Sequence, residues 1–384
     1  MPLPQLAITL YCTILAYSTI YAPQPLLPAL QGVFSVSEPK ASLLMTVTLL
    51  PLAIAPIVYG FVLQRVSTRR LLTVATGLLA LTQLALAAAP SFEALLALRL
   101  MQGLLIPAIL TALMTYLAAN AGPSRTTRVM AGYVAATVMG GFLGRAISGA
   151  VATAWGWEAA FFLFGLGLAL CAALLLRLDA DPEAGFRRLR WQAVTEILRQ
   201  PRALRVYGAI FCAFFVFASL LNFLPFRLVE LDTGLSELGI ALMYTGYLMG
   251  VVTALGSLQV AERVGGLVSA MLLGTLIFAG SLLFFIGPWV AVMAVGMFVF
   301  CAGMFLIHSL APGFLNRNTE GETGVMNGLY IAFYYAGGAV GSWLPGYLYY
   351  GYSWELYVAS LAAMLAVAAL LVHGLRSDRA PAGT

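Results

Sequence analysis

GGFLGRAISGAVATAWGWE at residues 140–158 and GGAVGSWLPGYLYYGYSWE at residues 337–355 are one pattern written twice. Gly140, Gly141, Gly144, Gly149, Trp157 and Glu158 recur as Gly337, Gly338, Gly341, Gly346, Trp354 and Glu355 at a constant spacing of 197 residues, without a gap. Pro28 and Pro225 share that spacing, and Gln64-Arg65-Val66-Ser67 returns as Glu262-Arg263-Val264-Gly265 at a spacing of 198. Chance could supply one glycine pair but hardly the set, so the chain reads as a duplication. Small residues let helix backbones approach closely, so the two glycine-rich segments suit sliding interfaces between helices.

Outward from these segments the chain is apolar: of 384 residues, 61% are hydrophobic and 9% charged. Soluble domains carry about 25% charged residues, and a water-soluble fold of this composition would expose large apolar patches. Helices spanning a bilayer need about 20 apolar residues. Twelve runs qualify: 6–30, 41–63, 71–89, 92–118, 127–150 and 159–176, then 206–225, 238–260, 267–286, 289–311, 324–346 and 356–372. The expected fold is therefore an all-α membrane protein with twelve transmembrane helices in two six-helix repeats. Its parts are an N-terminal bundle over 1–177, a cytoplasmic linker over 178–205 and a C-terminal bundle over 206–384. A β-barrel would show alternating runs of about ten residues instead.

With the N-terminus placed in the cytoplasm, sixteen arginines fall on the cytoplasmic side, while Lys40 and Arg227 fall outside and Arg99 and Arg145 within spans. The positive-inside rule favours this orientation, with both termini cytoplasmic in an inner membrane. The basic balance then reflects topology, and no nucleic-acid partner is expected. Cys12, Cys171, Cys212 and Cys301 all lie in spans, which argues against a disulfide framework. The first apolar stretch lacks a basic leader and a cleavage site, so it reads as a span rather than a removable signal. Within the linker, residues 187–199 could form an amphipathic helix with Trp191 and Leu198 towards lipid, or simply a solvated connection.

The loop after the second span runs Gly60-Phe-Val-Leu-Gln64-Arg65-Val66-Ser67-Thr68-Arg69-Arg70, and the fourth span contains Arg99-Leu-Met-Gln102-Gly103. The first resembles the loop signature of the major facilitator superfamily, with Gln64 in place of its acid and Ser67 in place of its glycine. The copy at Glu262-Arg263-Val264-Gly265 is closer to it. The second is similar to the Arg-x-x-Gln-Gly motif of the drug-proton antiporter branch, and the fifth span resembles that branch's glycine-rich motif, with Arg145 where proline is usual. A Gly-Arg there looks like the bacterial drug/sugar-efflux permeases. The resemblance implies two bundles rocking about a midplane site in one chain, hence a monomer. It also implies gating by Gly60, Gln64, Arg65, Arg69, Glu262 and Arg263 at the cytoplasmic ends, and by Gly140, Gly144, Gly149, Gly337 and Gly341 between helices.

An arginine in mid-span costs about 2.5–3.5 kcal/mol on insertion scales. Arg99 can serve proton coupling together with Gln102, or bond backbone carbonyls between helices. Arg145 can meet an anionic group, or clamp helices. None of the fifteen acids lies in mid-span, and Glu93 at an outer helix end is the candidate carboxylate nearest Arg99. Thr13, Tyr17, Tyr21 and Gln24 share a helical face, as do Asn327, Tyr330 and Tyr334, with Asn222 near the outer end of the seventh span. Such stripes can line a cavity for amphipathic organic molecules, or be packing and interfacial residues. Met293, Met297, Cys301, Met304 and His308 form a soft-ligand ladder suited to Cu(I), or fill gaps in apolar packing.

The function expected is secondary active transport of a small organic solute with protons, in the export direction. The alternatives are uptake of a metal chelate or soft metal ion, and a non-transporting membrane sensor. No nucleophile elbow, metalloprotease motif or phosphate loop occurs, so neither an enzyme nor a cofactor is expected.

Overall fold

The computed structural model describes residues 2–62, 66–121, 126–179 and 191–377. These residues are helical, with no strand among them. The chain runs through α1 (Leu3–Tyr21), α2 (Leu27–Phe34), α3 (Glu38–Val62), α4 (Thr68–Leu86), α5 (Phe92–Asn120), α6 (Thr126–Trp155), α7 (Trp157–Leu175) and α8 (Trp191–Leu198). It continues through α9 (Pro201–Leu231), α10 (Glu237–Met243), α11 (Met249–Arg263), α12 (Leu267–Ser281), α13 (Val290–Asn318), α14 (Thr323–Gly341), α15 (Gly346–Gly351) and α16 (Trp354–Ser377).

Among the described residues nine helical stretches are long and apolar enough to cross a membrane. Two are interrupted. α1 and α2 are joined by a 3₁₀ turn at Gln24–Leu26, where Pro23, Pro25 and Pro28 remove backbone donors. α10 and α11 are joined by a 3₁₀ turn at Tyr244–Leu248. The expected spans 41–63, 71–89 and 324–346 are helical over α3, α4 and α14 but fall outside the nine. Arg69 and Arg70 at its start, with threonines and Gln83, dilute the apolar character of α4, and glycines, tyrosines and Asn327 that of α14. Large side chains such as Leu81, Leu170, Leu255 and Leu370 stand exposed on their helices, as a lipid-facing surface requires.

The chain forms two compact units: Met1–Arg188 with Asp232–Tyr244, and Leu189–Leu231 with Thr245–Thr384. In the first, α1 packs on α6, α3 on α5, and α4 on both α5 and α7, and α10 lies against α6. In the second, α9 packs on α14 and α16, and α12 and α11 pack on α13. Of the linker segment 187–199 predicted as an amphipathic helix, residues 187–190 lie outside the described residues and Trp191–Leu198 is helical. Ala193, Val194 and Ile197 are buried, and Trp191 is exposed.

The duplication is visible in the helix crossings. A Cβ on Gly140 would come within 2.5 Å of the Ile14 carbonyl, and one on Gly144 within 2.5 Å of the Ser18 carbonyl. Their counterparts Gly337 and Gly341 lie even closer to the backbones of Phe211 and Phe215. Phe211 and Phe215 stand 197 residues beyond Ile14 and Ser18, the spacing that relates the glycines themselves.

Candidate functional site

Arg99 is buried in α5, where all five of its N–H donors find acceptors. Nε donates to the Leu44 carbonyl at 3.1 Å. Nη1 donates to the Thr19 carbonyl and to Gln102 Oε1, both at 2.8 Å. Nη2 donates to the Ile20 carbonyl at 2.9 Å and faces Met45 Sδ at 3.9 Å. Gln102 in turn donates to Gln83 Oε1 at 2.7 Å. Thr48 donates to the Arg99 carbonyl at 3.2 Å. The third motif residue, Gly103, admits the α3 backbone: a Cβ there would stand 2.7 Å from the Thr48 carbonyl. Arg99, Gln102 and Gly103 thus form one node that fastens α1, α3, α4 and α5. A buried charge survives here because each donor is matched.

Arg145, on α6, is also fully buried. Its Nε donates to Gln24 Oε1 and its Nη1 to the Gly141 carbonyl, each at 2.6 Å. The guanidinium lies 4.3 Å from the centre of the Tyr21 ring and 4.9 Å from that of Tyr244. An arginine between two aromatic faces is held by cation–π attraction as well as hydrogen bonds. Two residues of the first-helix stripe, Tyr21 and Gln24, therefore meet Arg145. Thr13 bonds back to the Thr9 carbonyl at 2.8 Å within its own helix, and Tyr17 lies against Gly140.

In the second unit, His308 of α13 meets the α14 stripe. Its Nδ1 lies 2.8 Å from the Tyr330 hydroxyl, and its ring centre is 4.8 Å from that of Tyr334. Tyr334 stacks on Phe214 at 3.6 Å. Asn327 accepts from Asn316 at 3.3 Å. Asn222 is fully buried and donates to the Ser342 carbonyl at 3.2 Å, which places it in the α9–α14 crossing.

The remaining candidates are scattered. Glu93 pairs with Lys40 at 3.2 Å, with both side chains exposed, and is not a partner of Arg99. Arg69 donates to the Leu176 carbonyl at 2.6 Å, tying α4 to the end of α7. Gly149 is covered by Glu237 and Ala241 of α10. Gly60 lies in α3, Glu262 and Arg263 end α11, and Gln64 and Arg65 lie outside the described residues. Met293, Met297, Cys301 and Met304 are buried packing residues. No group of three His, Cys, Asp or Glu residues that could hold a metal occurs among the described residues.

Sequence reasoning passed over Gln83, Thr48 and Tyr244. Gln83 carried a signal, as an amide in an apolar run. Tyr244 carried none, because its role depends on the packing of α10 against α6.

The family model described as Major Facilitator Superfamily matches residues 9–304. The chain belongs to the major facilitator superfamily. It is 24% identical over 358 residues to the MFS-type transporter YybF of Bacillus subtilis (strain 168), covering 92% of this chain and 88% of that one. It is 25% identical over 361 residues to the inner membrane transport protein YnfM of Escherichia coli (strain K12), covering 92% and 86%. Among solved structures, a bacterial homolog to the human lysosomal transporter Spinster, inward-facing and occupied, matches with a TM-score of 0.84 at 14% identity, covering 98% of each chain. A variant of the nucleoside transporter NupG matches with a TM-score of 0.80 at 13% identity, covering 96% of this chain and 99% of that one. The protein is thus a multi-pass membrane transporter of this superfamily that takes a small-molecule substrate, and it is not an enzyme.

Proposed function

We propose that this transporter exports a small organic solute across the inner membrane in exchange for protons, by alternating access. In this reading the chain is a monomer with twelve spans, two six-helix halves joined over 178–205, and both termini in the cytoplasm. The first-helix residues Tyr17, Tyr21 and Gln24, with Arg145, offer stacking faces and hydrogen bonds to the solute, as do Asn327, Tyr330 and Tyr334 of α14. The Arg145 guanidinium suits an anionic or strongly polar group. The paired glycines Gly140, Gly144, Gly337 and Gly341 let the helices that carry these residues slide on their neighbours.

The observation that carries the export reading is the Arg99 node. The three residues whose motif resembles that of drug-proton antiporters, Arg99, Gln102 and Gly103, take part in one four-helix fastening, and this joint role is what supports the reading. Arg99 and Gln102 act in coupling by holding α1, α3, α4 and α5 as one body, against which the protonation step works.

The test uses respiring inverted vesicles that contain the protein and a dye reporting the proton gradient. Drugs, sugars and organic anions are added in turn. The expected result is gradient collapse with a restricted set of compounds, weakened by Tyr330→Phe, which removes the hydroxyl facing His308 and little volume. If no compound collapses the gradient while the protein is present in the membrane, the export reading fails.

A further inference from the structure

The second unit contains a cavity of about 810 Å³, lined by Arg202, Leu267, Ser269, Phe314, Asn318 and Arg376, among others. Its volume falls within the range of about 300–1,000 Å³ typical of small-molecule sites. Four helix ends frame it: the starts of α9 and α12 and the ends of α13 and α16. Arg202 makes no hydrogen bond or ion pair among the described residues. Arg376 reaches across to Ser269 Oγ at 3.2 Å. No carboxylate lines the cavity among the described residues, while Leu267, Val268, Phe314 and Leu375 supply an apolar wall.

The start of α12 adds further donors. Its first intrahelical bond runs from the Ala270 amide to the Gly266 carbonyl, which leaves the amides of Leu267, Val268 and Ser269 without helical acceptors. No side chain caps this end. The corresponding helix of the first unit, α4, is capped: Ser67 Oγ accepts from the Arg70 amide at 3.3 Å. The duplicated position of Ser67 holds Gly265, whose φ of +87° is followed by +115° at Gly266. Two glycines in this left-handed region turn the chain into α12 with no side chain over its amides.

We propose that this cavity binds the phosphodiester headgroup of an anionic phospholipid, with the glycerol and upper acyl chain against the apolar wall. Arg202 and Arg376 contact the phosphate oxygens, and the α12 amides donate to them, as positive helix starts do for anions. Basic pockets between membrane helices suit such headgroups. A free inorganic anion would leave most of the volume and the whole apolar wall unused.

The test titrates purified full-length protein in detergent with phosphatidylglycerol or phosphatidylcholine. Native mass spectrometry reads the ratio of their apparent dissociation constants. Wild type favours phosphatidylglycerol. Each arginine near a membrane surface contributes roughly fivefold, so the Arg202→Gln/Arg376→Gln double variant should cut that preference by about 30-fold. Ser269→Asp puts a carboxylate at the cavity while strengthening the start of the helix. It should cut the preference at least about fivefold in a protein that folds as wild type does. Arg317→Gln changes an arginine on the end of α13 that does not line the cavity, and should change nothing. The proposal is overturned if the double variant and Ser269→Asp keep the preference, or if Arg317→Gln lowers it equally, which would mean general surface charge. It is also overturned if inorganic phosphate at equal concentration displaces the lipid completely, which would assign the cavity to a free anion.

Discussion

α5 and α13 are the same helix twice, beginning and ending 198 residues apart, yet they are held in opposite ways. In the first unit Thr48 of α3 meets the Arg99 backbone, and the arginine side chain fastens α1 and α3 directly and α4 through Gln102. In the second unit the same pair of positions is Gly246 and Met297, again in backbone contact, but the side chain is apolar and fully buried. Around it the fastening is aromatic, with Phe300 at 5.4 Å from Phe217 and 4.6 Å from Phe278. The duplication kept the close backbone approaches and let the side-chain chemistry diverge. One unit carries buried cations with directional partners, and the other a core of packed rings. Directional bonds tolerate little misplacement, whereas ring and thioether packing can adjust.

Writing one unit's residue into the other separates the two cores most strongly. Arg99→Met removes the side-chain donors to the buried Thr19 and Ile20 carbonyls, each costing about 1–3 kcal/mol when left unpaired, while the Leu44 carbonyl keeps Thr48 Oγ1. We expect loss of monodisperse protein in size-exclusion chromatography, or a large fall in melting temperature. Met297→Leu, nearly volume-conserving in an apolar site, should cost less than about 1.5 kcal/mol. Equal sensitivity of the two would remove the distinction between the cores.

The shared crossings should respond alike. Gly144→Val and Gly341→Val each drive side-chain atoms into a neighbouring backbone and should destabilise by about 1–3 kcal/mol or more. Gly77→Ala, in α4, meets nothing within 4 Å and should be neutral or stabilising by up to about 1 kcal/mol. Thermal unfolding in detergent separates these outcomes. A difference between the two valine variants would show that the crossings are not equivalent.

The smallest expected effect is at Glu93. Its carboxylate pairs with Lys40 on an exposed surface, where ion pairs are screened and contribute little. Glu93→Gln should leave both melting temperature and the pH profile of transport unchanged. A displaced profile would return Glu93 to the coupling path.

Much of this was legible in the residues. Paired glycines at fixed spacing announced the duplication, and two arginines in apolar runs announced buried sites. The partners of Arg99 were not legible, because Thr19, Ile20 and Leu44 act through their carbonyls, which every residue carries. Asn222 read as cavity lining, but an amide in a span can as well close a helix crossing, and its bond to the Ser342 carbonyl puts it there. Tyr244 reaches Arg145 only because α10, from the second half of the sequence, joins the first unit. Periodicity reports faces of single helices and carries no information about which distant helix meets them.

The most direct measurement is made in sealed proteoliposomes that contain only this protein, with a solute found by the vesicle screen and an imposed pH gradient. Proton-coupled exchange predicts that a gradient acidic inside drives solute inward against its concentration, without ATP, and that a protonophore abolishes the accumulation. Solute movement indifferent to the gradient would contradict it.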